Sequence, residues 1–164
     1  MDIYTDWEVV KKVFKKSFSS SFHYSIATVD QNSKPHITPI GSLMLGKPGH
    51  AIYFEEFTKQ LPINISINNS ICVLAVNSSK WFWLKSLIVG QFTELPALRL
   101  EGEAGILREA TKQEVKLWHK RVNTVKFTKG HKLLWKNMGM VREIKFTKII
   151  PVKIGLMTRQ TQYS

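Results

Sequence analysis

The spacing of apolar residues changes at Tyr24, and that change limits the fold more than any other feature of the chain. Before it, Trp7, Val10, Val13 and Phe14 recur at helical intervals, with Lys11, Lys12, Lys15 and Lys16 between them. Such spacing lays an apolar stripe along one side of a helix and turns the lysines to water. Thr5-Asp6-Trp7-Glu8 has the pattern of a capping box, so the helix is expected to start there. From Tyr24 the period is two. Tyr24–Val29 and His36–Leu45 read as a hairpin around Asp30-Gln31-Asn32-Ser33-Lys34-Pro35. Ala51–Phe54, Ile71–Val76, Leu98–Leu107, Val141–Thr147 and Ile149–Leu156 continue the strands, with Gly46–His50 as a turn and Gly102 and Gly105 where a bulge fits. Many short strands separated by turns imply a mainly β chain, a closed or nearly closed antiparallel barrel with flanking helices.

Two helices are expected before the last strands. Thr111-Lys112-Gln113-Glu114 is a second capping-box pattern, leading a helix to about Val122, and a shorter helix falls around His131–Asn137 ahead of Gly139. Leu61–Asn69 keeps two readings. Leu61, Ile63, Ile65 and Ile67 alternate as in a strand, whereas Pro62 and the asparagines suit a short helix beginning near the proline.

At 164 residues the chain buries one substantial core, so residues 1–164 are expected to form a single domain. The longest apolar runs, Ile71–Val76 and Trp81–Gly90, fall far short of the roughly 20 residues of a membrane-spanning helix, which predicts a soluble protein. Met1–Ser21 is broken by acidic residues and lysines, unlike a secretory signal, and this points to the cytoplasm. Cys72, the single cysteine, excludes a disulfide within the chain and reads as a small buried hydrophobe. The five histidines lack metal-ligand spacing, so no metal site is expected. The net charge of +12 is concentrated between Lys112 and Lys153, where twelve Lys or Arg stand against Glu114 and Glu143. A basic face there attracts anions: nucleic acid, a phosphorylated ligand, or counterions alone.

Ser25-Ile26-Ala27-Thr28-Val29-Asp30, Lys34-Pro35-His36-Ile37-Thr38-Pro39-Ile40, Ile52-Tyr53-Phe54, Asn64 and Leu100-Glu101-Gly102-Glu103-Ala104, taken in this order, resemble the pyridoxamine 5′-phosphate oxidase-like family. Val141-Arg142-Glu143-Ile144-Lys145-Phe146 resembles that family's last long strand. The resemblance spans roughly residues 20 to 156. It implies an FMN-binding split β-barrel acting as a homodimer, with FMN in a groove between the two barrels.

It further implies that the phosphate is held near Phe57, Thr58, Lys59 and Gln60, with Asn64 in support, and that His36, Thr38, Pro39, Ile40 and Gly41 run along the isoalloxazine ring. A hydroxyl, a cation and a helix start near Pro62 suit a phosphate physically, and Gly41 leaves room for close backbone approach. The family often has a basic residue three positions before the asparagine; here it is Leu61. Ser79–Phe92 is an addition to the minimal barrel. Its Trp81, Leu84 and Ile88 fall at helical spacing, which suits packing in the core or at a dimer interface, or a lid over the flavin.

The function expected on this basis is FMN-dependent oxidoreduction of a small-molecule substrate. Haem- or deazaflavin-binding split barrels are the nearest alternatives. A nucleic-acid-binding barrel is the alternative from another class, suggested by charge and by Trp118, Phe127 and Trp135 among basic residues. Helical placement of Trp118 and Trp135 weighs against it. Glu55 and Glu56 are adjacent and point to opposite faces of a strand, so they do not form a paired acid and base.

Overall fold

The computed structural model describes residues 1–123 and 138–159, and the expected helix at His131–Asn137 lies outside them. Seven antiparallel strands form one sheet: β1 (Tyr24–Val29), β2 (Pro35–Ile40), β3 (Met44–Leu45), β4 (His50–Phe54), β5 (Ser70–Val76), β6 (Ala97–Glu109) and β7 (Met140–Pro151). Their spatial order is β2-β1-β5-β6-β7-β4-β3. β2 and β3 are successive in the chain yet occupy opposite edges. The link at residues 41–43 allows four peptide steps, at most about 14 Å, so the sheet must roll until its edges nearly meet. Ser42 in this link extends the β3–β4 pairing, its hydroxyl both donating to the Phe54 carbonyl and accepting from the Phe54 amide at 3.1 Å.

The expected single strand His36–Leu45 is therefore two strands on two edges. Pro35 and Pro39 lie on edge strand β2, where a missing N–H costs no ladder bond. The two strands expected at Val141–Thr147 and Ile149–Leu156 are instead one, β7, followed by a 3-10 turn at Gly155–Thr158. β6 explains the difference: its thirteen residues template β7 along nearly its whole length, with irregularities at Glu101/Gly102 and Ala104/Leu107. Those are the bulges the glycines led us to expect. At Gly102 a Cβ would stand 2.2 Å from the Lys145 carbonyl oxygen, so no other residue fits without moving β7.

Among the described residues four α-helices flank the sheet: α1 (Trp7–Ser21), α2 (Gln60–Ile67), α3 (Lys80–Val89) and α4 (Lys112–Val122). α1 buries Trp7, Val10, Val13, Phe14 and Ser17 against the sheet. Its start corrects the sequence reading: Asp6 precedes the helix, and the Asp2 carboxylate accepts from the Tyr4 and Thr5 amides, so the Thr5–Glu8 box does not form. The Thr111–Glu114 box does form, with reciprocal bonds of 3.2 and 2.8 Å. α4 buries Trp118 against Phe54, ring centroids 5.9 Å apart, in a second apolar cluster beside the main core. Lys112, Lys116 and Lys120 are exposed on its outer side, as the basic face requires. Among the described residues no helix is long and apolar enough to cross a membrane.

Candidate functional site

Strand pairing positions the loop that follows β4. Tyr53 lies directly opposite Arg142 on β7. Glu55, two residues on, falls on the same side by strand alternation, and its carboxylate accepts from Arg142 Nε and Nη2 at 2.5 and 2.6 Å. The Tyr53 hydroxyl donates to the same carboxylate. The Glu55 side chain is only 3% exposed, so this ion pair is largely screened from water. Burial, with Glu55 beside it, pushes the Tyr53 hydroxyl far above its usual range, and the Glu55 carboxylate raises Arg142. Glu56 points elsewhere and accepts from the Gly139 and Met140 amides at 2.7 and 3.1 Å. Both acidic residues thus pin the loop to the start of β7. This anchoring needs the β4–β7 register, which sequence spacing does not reveal.

The loop delivers Phe57, Thr58, Lys59 and Gln60 to the start of α2. Leu61–Asn69 thereby resolves as a helix, Gln60–Ile67, with Pro62 in its first turn. The Thr58 hydroxyl oxygen is buried and has no hydrogen-bond partner among the described residues. Lys59 is exposed and takes part in no ion pair among them. No side chain caps α2, and first-turn amides have no partner within their helix. A hydroxyl and an ammonium with no side-chain partner among the described residues thus stand next to each other in the chain, at the start of a helix that no side chain caps. Phe57, 61% exposed, flanks it.

Asn64 lies one turn further along and is 0% exposed. Its Nδ2 donates to Thr28 Oγ1 at 2.9 Å, and its Oδ1 accepts from Gln60 Nε2 at 2.8 Å. Asn64 therefore ties α2 to β1 and positions Gln60. Thr28, which the resemblance did not single out as a contact, pairs in register with His36. Through that pair the helix start and β2 belong to one neighbourhood. Leu61, at the family's basic position, is also 0% exposed and packs in the core.

On β2, His36, Thr38 and Ile40 face inward while Pro35, Ile37 and Pro39 face solvent. Thr38 Oγ1 lies 3.4 Å from His36 Nδ1. Gly41 is explained by packing: a Cβ there would stand 3.0 Å from the Phe22 carbonyl oxygen, so the room it leaves is filled by backbone of the α1–β1 connection. Cys72 is half-buried rather than in the core, and burial raises its thiol pKa.

A cavity of about 670 Å³ lies elsewhere, between β3, β4 and α4. Three of its charged residues satisfy one another: Arg108 binds Glu114 at 2.8 Å and Glu143 at 2.7 Å. Arg108 holds the Glu114 carboxyl down to about 2. A second cavity, about 540 Å³, is lined by Thr28 and Val29 of β1, Cys72 of β5 and Glu101 and Glu103 of β6. Volume favours the first, but unpartnered groups favour the start of α2, and it is polar groups without partners that a ligand satisfies.

No family model matches this sequence, and no curated protein does. Solved structures do. An FMN-binding protein from Syntrophomonas wolfei superposes with a TM-score of 0.58 at 16% identity, covering 91% of this chain and 89% of that one. A candidate pyridoxamine 5′-phosphate oxidase from Lactobacillus delbrueckii gives 0.52 at 17% identity, covering 89% and 92%. HutZ, described as the heme storage protein of Vibrio cholerae, gives 0.56 at 11% identity, covering 96% and 99%. The chain has the split-barrel fold that these proteins share. Similarity at this level establishes the fold, while the ligand must be argued from the residues.

Proposed function

We propose that the protein binds FMN at the start of α2, as a homodimer of the pyridoxamine 5′-phosphate oxidase-like family, and acts as a flavin-dependent oxidoreductase. One observation carries the reading: among the described residues the buried Thr58 hydroxyl has no hydrogen-bond partner, next to Lys59 and the uncapped helix start. A buried polar group left unbonded costs free energy, and a phosphate there would satisfy it. Lys59 would neutralise the phosphate charge, and the α2 dipole would favour it. Asn64 and Gln60 hold this start against Thr28. His36 and Thr38 are the inward polar groups of β2 nearest to it in register. FMN, when bound, supplies hydride or electron transfer, while the protein orients it and limits water.

Exposed apolar residues surround this region, including Ile37 on β2, Phe57, and Ile63 and Ile67 on α2. A second barrel seated there would cover them and complete the groove. Sedimentation of a monomer at micromolar concentration would sink the dimer.

The ligand test uses FMN and riboflavin, which differ by the phosphate. Lys59→Ala should weaken FMN by about one to two powers of ten and leave riboflavin unchanged. Thr58→Val should also weaken FMN selectively, yet leave the ligand-free protein at least as stable, because the hydroxyl it removes has no hydrogen-bond partner among the described residues. An equal loss for both ligands would place the phosphate elsewhere. The likeness to HutZ raises haem as a second reading, and the absorption spectrum of the purified protein separates flavin bands from a Soret band.

A further inference from the structure

α3 is firmly seated on its inner side and uncovered on its outer side. Phe82 and Trp83 pack on Phe92, with ring centroids 5.5 and 5.2 Å apart, and Trp83 Nε1 donates to the Asn77 carbonyl at 2.7 Å. Ser79 caps the start, and Gly90, at φ 73°, ends the helix. At 3.6 residues per turn, Leu87, Leu84, Ile88 and Trp81 form a single stripe on the opposite side. Trp81 is 80% exposed and Ile88 78%. The expected packing of Trp81, Leu84 and Ile88 in the core is thus not found.

We propose that α3 docks the protein on an anionic lipid bilayer, with this stripe lying in the headgroup region. Charge selects the occupant. The sequence contains no Asp or Glu between Glu56 and Glu94, while Lys80 and Lys85 are exposed on the helix. Glu94, the nearest acidic residue, has its carboxylate bound by Lys16. The Phe92 amide donates to the Met157 carbonyl at 3.0 Å, which holds the turn at Gly155–Thr158 close by. That turn exposes Leu156, with Lys153 and Arg159 exposed to either side.

An apolar stripe containing tryptophan, with Lys80 within it at the helix start and Lys85 along its edge, is complementary to a negatively charged lipid surface, with the lysine stems reaching up to the headgroups. At ten residues α3 is too short to span a bilayer and lies in its plane. A second copy of the chain is a poorer fit: a two-fold contact through this face would oppose Lys80 and Lys85 of one copy to those of the other, with no carboxylate on the helix between them. The seven residues of β5 separate α3 from α2 by roughly 20 Å, so this proposal does not depend on the flavin reading.

Co-sedimentation with vesicles of phosphatidylcholine and phosphatidylserine, and with vesicles of phosphatidylcholine alone, tests it. The protein should pellet with the mixed vesicles only and be released by added salt. Lys80→Gln and Lys85→Gln should each weaken binding roughly fivefold, and Ile88→Glu should abolish it. Ile88 contacts water rather than core, so the melting temperature of Ile88→Glu should match the parent and exclude misfolding. The proposal is overturned if the parent protein fails to pellet with the mixed vesicles, if it binds both vesicle types equally, or if Ile88→Glu converts a dimer into a monomer, which would assign the stripe to a second copy.

Discussion

α2 and α3 are both short, both rich in isoleucine or leucine, and both apolar on nearly every side, yet they sit in opposite ways. α2 sends Leu61 and Ile65 into the core and Asn64 to a hydrogen bond with β1. α3 buries only Ser86 outright, seats Phe82 and Trp83 on Phe92, and turns Trp81, Leu84, Leu87 and Ile88 outward. The comparison teaches that apolar content does not assign a helix to the core. For α2 the deciding feature is the buried polar tie between Asn64 and Thr28, which can form in only one orientation. α3 has no such tie through its outer face and is held by two aromatic residues on Phe92.

The largest expected effect comes from truncating what α2 buries. Leu61→Ala removes a fully buried side chain and should cost about 2–5 kcal/mol in denaturant unfolding, whereas Leu84→Ala on α3 should stay within about 0.5 kcal/mol. Similar losses at both positions would mean that α3 is covered after all. Next is the polar tie. Asn64→Ala leaves the Thr28 hydroxyl buried without a donor and should cost about 1–3 kcal/mol, and a double-mutant cycle with Thr28→Ala should show coupling. Additive losses would break the claim that this bond orients α2.

A smaller effect sharpens the comparison with α4, whose first turn is held by charge. Glu114 titrates at about 2 in the fold against 4.5 ordinarily, chiefly through its hydrogen bonds to Arg108. A depressed carboxylate stabilises the fold fully above its unfolded value. The contribution is then lost as pH falls from about 4.5 through about 2. Thermal melts across that window should show a steeper decline for the parent than for Glu114→Gln. Parallel curves would show that the pair contributes nothing.

The strand series, the bulges at Gly102 and Gly105, the helical stripe of α1 and the capping box at Thr111 were legible because each depends on neighbours within a few residues. The same holds for the ordered motifs that pointed to a split barrel. Leu61–Asn69 stayed ambiguous because Leu61, Ile63, Ile65 and Ile67 alternate as in a strand while Pro62 and the asparagines suit a helix start. The sequence drew attention to Thr58 and Lys59 through resemblance, but gave no sign of the Glu55–Arg142 pair, which joins residues 87 positions apart.

What the chain determined by itself, then, is its local vocabulary: where the period is two, where it is 3.6, and where a glycine must let another backbone pass. Tertiary structure alone decided that residues 41–43 join the two edges of the sheet, that Gly41 makes way for the Phe22 carbonyl, and that α3 turns Trp81 and Ile88 outward. The physical reason is that periodicity fixes which residues share a face of an element, whereas the partner of that face is chosen by register and packing among segments far apart in the chain.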